Sequence, residues 1–180
     1  MTSLSAVSPG PGPGSTRSTL VQLRGTWGTV LLPIRPDDSI DFGLVEAELD
    51  VLLGIGLAGV YTCGTAGEFH TLEEDEFDAL SDLVAQKSRT AGARFQIGAS
   101  HMSGQICLSR IRRGRALGPA AIQVTLPDWL PLNPDEVHRT LERMVAEAEP
   151  VPLVLYNPPH AKTVCSPDQL ASLATAFPGL

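Results

Sequence analysis

The chain has 180 residues with a net charge of −7, and its composition is 43% hydrophobic but only 5% aromatic. This length suits one domain with an aliphatic core, and the acidic balance argues against a nucleic-acid surface. No apolar run approaches the ~20 residues of a membrane span, and three cysteines make no disulfide framework, so we expect a cytoplasmic protein without a secretory signal.

The N-terminal segment differs in composition from the rest of the chain. Residues 1–20 are rich in Pro, Gly and Ser. Such a segment buries too little apolar surface to offset the entropy lost on ordering. We therefore predict a disordered tail over residues 1–24 and one domain over residues 25–180.

Five short apolar runs follow at regular intervals. Their continuous apolarity, without strict alternation, is typical of parallel strands that are covered on both faces. The runs are "TVLLPI" (29–34), "LAGVYT" (57–62), "RFQIGA" (94–99), "AAIQVT" (120–125) and "VPLVLY" (151–156).

Helical patterns separate these runs. Residues 41–53 carry apolar side chains at helical spacing, and Thr71 and Glu74 have the spacing of a capping box before the second helix. Asn133, followed by a proline, predicts the N-cap of a later helix, and "SPDQL" (166–170) repeats that pattern. The chain thus contains a strand–helix unit five times.

Two α/β architectures agree with this repetition. One is a five-stranded, doubly wound parallel sheet. The other is the greater part of a (β/α)8 barrel, which normally needs about 250 residues. Periodicity alone does not choose between them.

Three further patterns carry little functional weight. "GIGLAG" (54–59) matches G-x-G-x-x-G, but a helix precedes it and a strand follows, so it predicts a helix stop and turn. The basic run 110–115 predicts the exposed face of a helix. The four histidines have no metal-ligand spacing, and we expect no metal site.

The loop after the second strand is a stronger candidate. Gly64 and Gly67 permit a tight turn with exposed backbone N–H groups, and Thr65 adds a hydroxyl. Such a loop can hold a small carboxylate, although an ordinary turn remains an alternative. Tyr156 ends the fifth strand, where its phenol can either pass a proton to a substrate or simply pack.

Two motifs at these strand ends resemble those of one enzyme family. "GTAGE" (64–68) and "YNPP" (156–159) are similar to the G-T/S-T-G-E and Y-N-x-P motifs of the dihydrodipicolinate synthase and N-acetylneuraminate lyase family. The resemblance covers roughly residues 25–180. It implies a (β/α)8 barrel and a class I aldolase or related lyase. Such an enzyme needs no cofactor, acts on pyruvate or another small 2-oxo acid, and is a homo-oligomer at full length.

The resemblance also implies roles for individual residues. Gly64, Thr65 and Ala66 would bind the substrate carboxylate, and Tyr156 would relay protons. Ala66 stands where the family usually has a second threonine, so one hydroxyl is missing.

Other departures argue against a true dihydrodipicolinate synthase. Trp129 lies in "PDW" (127–129), where many members have Pro-Tyr-Tyr, and Ala161 stands where synthases place an arginine. These differences favour a divergent branch such as the hydratase-aldolases of aromatic breakdown, with Trp129 in the substrate pocket.

The family's Schiff-base lysine has no counterpart in this sequence. It would lie on a sixth strand, whereas the chain holds only Lys87 and Lys162, at other positions. We therefore expect a barrel truncated after about five units and inactive by itself. The alternative is a non-catalytic α/β binding or assembly module derived from the family.

Overall fold

The structure is a computed structural model that describes residues 23–180. The disordered tail predicted over residues 1–24 lies outside this range, apart from its last two residues. The barrel domain predicted over residues 25–180 lies within it.

Within residues 23–180, five strands form one parallel sheet in which each strand pairs with the next along the chain. The strands are β1 (Trp27–Thr29), β2 (Gly59–Tyr61), β3 (Phe95–Gly98), β4 (Ala121–Val124) and β5 (Leu153–Leu155). Because the strand order never reverses, right-handed crossovers bring all the helices to one face. A doubly wound sheet requires a reversal, so that alternative is wrong and the arrangement is that of consecutive barrel units.

Five helices alternate with these strands between residues 23 and 180. They are α1 (Phe42–Gly54), α2 (Glu74–Thr90), α3 (Gly104–Ala116), α4 (Pro134–Ala148) and α5 (Pro167–Ala176). The predicted N-caps are confirmed, since the side chains of Asn133 and Ser166 accept hydrogen bonds from the first turns of α4 and α5. None of these helices is long and apolar enough to cross a membrane.

The start of α2 differs from the prediction. Its N-cap is Glu73, two residues later than the predicted Thr71, and the Glu73 backbone N–H donates to the Glu76 carboxylate at 3.0 Å. The Thr71 hydroxyl instead donates to the carbonyl of Glu68, at 2.8 Å, within the preceding loop. The acidic run offers several carboxylates at capping-box spacing, and the loop geometry selects the later one.

The first strand is also shifted, because the predicted run 29–34 shares only Thr29 with β1. Beyond that point the backbone N–H of Leu31 donates to the Glu48 carboxylate at 3.0 Å instead of joining a strand. Pro33 has no N–H to donate. The chain thus leaves the sheet soon after Thr29.

The two faces of the sheet differ in polarity. A Cβ on Gly114 of α3 would lie 3.0 Å from Ile97 and 3.2 Å from Ile122, so both isoleucines point to the helices. Successive strand residues point to opposite faces, so Gln96 and Gln123 lie on the inner face. Tyr61, paired in register with Gln96, shares that face.

Candidate functional site

Four of the five predicted site residues, Gly64, Thr65, Ala66 and Tyr156, line one cavity at the carboxyl ends of the strands. The cavity has a volume of about 330 Å³. Its lining residues are Tyr61, Gly64, Thr65, Ala66, Gln123, Tyr156 and His160. The structure therefore brings together the loop after β2 and the tyrosine after β5, which are 90 residues apart in sequence from Ala66 to Tyr156.

The loop after β2 offers hydrogen-bond donors to this cavity. The N–H of Gly67 donates to the Gly64 carbonyl at 3.0 Å, and that of Glu68 donates to the Thr65 carbonyl at 3.2 Å. The backbone N–H groups of Thr65 and Ala66 make no hydrogen bond with other residues in the range 23–180. Two N–H groups and the Thr65 hydroxyl are thus available to an anion.

Backbone conformation and close packing hold this loop in place. Cys63 and Glu68 have φ angles of 54° and 47°, in the left-handed region that few non-glycine residues adopt. A Cβ on Gly98 of β3 would lie 2.5 Å from the Thr62 carbonyl oxygen. The N–H of Gly98 also donates to the Thr62 hydroxyl at 3.3 Å. The approach of β3 therefore fixes the chain just before the loop.

A buried arginine holds the other end of the loop, and it corrects the prediction of an exposed basic helix face. The side chain of Arg110 on α3 is fully buried. It donates to the carbonyls of Phe69 at 3.3 Å, Leu72 at 3.1 Å and Ser100 at 3.1 Å. It also pairs with Glu74 at 2.7 Å. The guanidinium has several donors in a planar fork, so one side chain satisfies carbonyls from two loops.

Tyr156 stands on a turn that its neighbour Asn157 braces. The N–H of Tyr156 donates to the Val124 carbonyl at 2.8 Å, which continues the pairing of β5 with β4. The Asn157 side chain donates to the Cys165 carbonyl and accepts from its N–H, both at 2.9 Å. The asparagine of the "YNPP" motif thus stabilises the backbone that carries the half-buried phenol.

A second cavity, of about 280 Å³, adjoins the first through Thr65 and His160, which line both. The other residues lining it are Phe69, His70, His101, Met102, Thr125, Asp128, Pro158 and Ala161. Neither lining contains a lysine or an arginine. Burial, followed by the nearby Arg110 charge, lowers the pKa of His101. Within residues 23–180 no cluster of three or more His, Cys, Asp or Glu side chains could hold a metal ion.

Three residues considered from the sequence line neither of these cavities. Trp129 is 73% exposed on the loop after β4 and lines neither cavity. Lys87 pairs with Asp50 at 2.5 Å and with Glu46 at 3.3 Å, and hydrogen bonding to Asp50 raises its pKa. Lys162 is exposed and lines a different depression.

Sequence reasoning overlooked Tyr61, Gln123 and the contribution of His160 to the site. Tyr61 and Gln123 carried a usable signal, since each is a polar side chain inside an apolar strand of an all-parallel sheet. In such a sheet, a polar residue near the carboxyl end of a strand faces the barrel mouth, where barrel enzymes carry their chemistry.

Comparison with known proteins gives one consistent match. A model of the Dihydrodipicolinate synthetase family matches residues 22–180. A 4-hydroxy-tetrahydrodipicolinate synthase of Sorangium cellulosum is 31% identical over 140 residues, which cover 76% of this chain and 45% of that protein. A DapA-like lyase of Thermococcus kodakarensis is 25% identical, with 88% of this chain and 53% of that protein covered.

Solved structures agree on the fold. YagE, a prophage protein of the dihydrodipicolinic acid synthase family from E. coli K12 that was crystallised in complex with pyruvate, superposes with a TM-score of 0.82. Its sequence is 21% identical, and the match covers 88% of this chain and 53% of that one. A similarity at this identity shows the fold alone. The chain spans about half the length of the curated relatives it matches.

Proposed function

The chain belongs to the dihydrodipicolinate synthetase family, and on that premise we propose that it forms the substrate-binding part of a lyase acting on pyruvate or another 2-oxo acid. The reaction is a Schiff-base aldol or hydratase-aldolase reaction. The observation that carries this proposal is the single cavity that Thr65, Ala66 and Tyr156 line together.

The loop after β2 binds the substrate carboxylate. The backbone N–H groups of Thr65 and Ala66 and the hydroxyl of Thr65 are the donors, and charge-assisted hydrogen bonds of this kind are stronger than neutral ones. Ala66 offers only its backbone, so the site has one side-chain hydroxyl fewer than the family motif.

Tyr156 transfers the proton. In a 2-oxo acid the carbonyl is next to the carboxylate, so a substrate anchored on the loop presents its carbonyl within the same cavity. The phenol can donate a proton to that oxygen and later take it back. The phenol is half-buried, and the hydrogen bonds of Asn157 with Cys165 hold the turn that carries it.

Neither lysine of the chain supplies the Schiff-base amine. An amine must be neutral to attack a carbonyl, and the carboxylates around Lys87 hold it protonated on the outer surface. Lys162 is in water and lines neither cavity. We expect no covalent adduct when these 180 residues are treated with pyruvate and borohydride. An adduct on Lys162, found by intact mass and peptide mapping, would contradict this.

The second substrate is not aspartate semialdehyde. The carboxylate of aspartate semialdehyde needs a cationic side chain as its partner. Ala161 stands at the position of the synthase arginine, and no lysine or arginine lines either cavity. Homo-oligomerisation and a cytoplasmic location, which suits three unpaired buried cysteines, are part of the same proposal.

The test of the proposal is pyruvate binding by isothermal titration calorimetry. Thr65→Val and Tyr156→Phe should each weaken binding by about ten-fold, since each removes one hydrogen bond to a charged or polarised group. Thr90→Val is the matched control, because the Thr90 hydroxyl donates to a carbonyl within α2, away from both cavities. Absence of binding, or equal losses in all three variants, would refute the proposal.

The position of both lysines outside the cavities favours a second candidate, a non-catalytic module that only binds a 2-oxo acid. Methylamine can replace the missing amine and form an imine with pyruvate. A lyase site should then accelerate exchange of the pyruvate methyl protons with D2O, and Tyr156→Phe should slow it. Binding without faster exchange would favour the binding module.

A further inference from the structure

Tyr61 and Thr29 form a hydroxyl pair inside the candidate site. The two residues end β2 and β1 and lie opposite each other in the register of the sheet. The Thr29 hydroxyl donates a hydrogen bond to the phenolic oxygen of Tyr61, across 32 residues of sequence. Tyr61 lines the same cavity as Thr65 and Tyr156.

This arrangement leaves the Tyr61 hydroxyl with a hydrogen to donate. A phenol can donate one hydrogen bond and also accept. The two hydroxyls carry two hydrogens, and the bond between them uses one; with Thr29 as the donor, the other stays on the phenol, which has no further hydrogen-bond partner within residues 23–180. The phenol is therefore a preoriented donor on the wall of a cavity.

The ring of Tyr61 is fixed against the carboxylate-binding loop. A Cβ on Gly64 would lie 2.8 Å from Cε2 of the ring, so the ring occupies the space that any larger residue at position 64 would need. Packing of this kind restricts the ring, and the hydrogen bond from Thr29 restricts its hydroxyl. The donor and the loop thus form one rigid unit.

We propose that the Tyr61 hydroxyl is a substrate-binding group of the site and donates a hydrogen bond to the carboxylate of the 2-oxo acid. It takes the place of the side-chain hydroxyl that Ala66 lacks, and Thr29 is the residue that positions it. This inference rests on the proposed function, because the carboxylate belongs to the substrate named there.

Fluorine NMR can separate the two proposals, because the chain has only two tyrosines. Protein labelled with meta-fluorotyrosine gives two signals, which Tyr61→Phe and Tyr156→Phe assign. On titration with pyruvate we expect both signals to move with one Kd. Movement of the Tyr156 signal alone would overturn the role of Tyr61 and leave the proposed function standing. If neither signal moves, both proposals fail.

The affinities of matched variants test the hydrogen bond itself. Tyr61→Phe should weaken pyruvate binding by about ten-fold or more, because the lost bond is made to a charged group. Thr29→Val should weaken binding by a smaller factor and Thr29→Ser should restore it, whereas Thr90→Val on α2 should have no effect. A Tyr61→Phe protein that binds pyruvate as tightly as the unsubstituted chain would overturn the inference.

Discussion

The guanidinium of Arg110 and the carboxylate of Glu74 form an ion pair with 2.7 Å between Nη2 and Oε1. The arginine is fully buried, whereas the glutamate stands in the first turn of α2 and remains partly exposed. The pair joins α3 to the end of the loop that begins at Gly64. It therefore connects the stability of the fold to the geometry of the candidate site.

Substituting Arg110 with methionine should be strongly destabilising. The change keeps much of the apolar stem but leaves the carbonyls of Leu72 and Ser100 without their donor. Glu74 keeps Arg113 as a partner, so the loss comes from the buried carbonyls, and a buried acceptor left unsatisfied typically costs about 1–3 kcal/mol. We expect a loss of this size in the free energy of unfolding, measured by urea denaturation.

Arg112 on the same helix provides the control. It also forms an ion pair, with Glu147 at 3.0 Å, but its side chain is 58% exposed. Exposed pairs contribute only about 0–1 kcal/mol. Arg112→Met should therefore be nearly neutral, and equal losses for the two substitutions would contradict the interpretation of Arg110.

The stability of the fold should depend on pH through the protonation of the Glu74 carboxylate. Partial burial acts to raise its pKa, but hydrogen bonds from Arg113 and Arg110 outweigh that effect and hold the pKa below its usual value. A carboxyl group with a lowered folded-state pKa stabilises the fold above its unfolded pKa of about 4.3 and loses that contribution as the pH falls through the folded value.

The measurement is the difference in unfolding free energy between the unsubstituted chain and Glu74→Gln. We expect the difference to be constant near neutral pH and to shrink once the pH falls below about 4.3. Glu142→Gln, on the exposed side of α4, should show no comparable trend. A difference for Glu74→Gln that does not change with pH would exclude this role for the carboxylate.

Much of the fold could be predicted because its determinants are local. The N-caps of α4 and α5 are set within four residues of Asn133 and Ser166, and the apolar runs indicate the strands directly. The position of β1 could not be predicted, because it depends on Glu48, a distant residue, taking the N–H of Leu31.

The residues of the candidate site that belong to a sequence motif could be predicted. The contacts that form only between distant parts of the folded chain could not. Thr65 and Tyr156 were identified from the motifs that contain them. The bond between Thr29 and Tyr61 joins residues 32 positions apart, and the buried Arg110 donates to Leu72, which lies 38 positions away. Such contacts could not be predicted from local sequence, because they form only when the crossovers bring neighbouring strands and loops together.

Gly98 should be required for both the fold and the site. An added Cβ would lie 2.5 Å from the Thr62 carbonyl oxygen and 2.8 Å from Cβ of Cys63. To relieve this clash, the backbone just before the loop after β2 must move. Overpacking of this kind costs about 1–3 kcal/mol. Gly98→Ala should therefore lower the thermal midpoint and weaken pyruvate binding together.

Gly104 gives the matched control for this change. It stands at the start of α3, where an added Cβ would meet no atom within 4 Å. Alanine is also favoured over glycine in helices, so Gly104→Ala should leave the thermal midpoint unchanged or slightly higher and pyruvate affinity unaltered. If the two alanine variants behave alike, steric contact with Thr62 is not the cause.

The last prediction concerns the edge of the sheet formed by β1. Within residues 23–180, strand β1 pairs only with β2, whereas at the other edge the N–H of Leu153 donates to the Gly179 carbonyl at 2.7 Å. The neighbouring helix α1 and its C-cap also expose large apolar side chains, since Val51 is 62% and the C-cap residue Ile55 is 63% exposed. An unpaired edge beside exposed apolar groups favours association with another chain.

We therefore expect these 180 residues to self-associate through β1 and α1, with a mass that rises with concentration in size-exclusion chromatography with light scattering. Val51→Lys should shift the equilibrium toward the monomer, because a charge would have to be buried at the contact. Leu130→Lys is the control, since Leu130 is equally prominent at 65% exposure but lies after β4, away from this edge. A monomer at every concentration, or equal effects of the two lysine substitutions, would show that the β1 edge does not direct association.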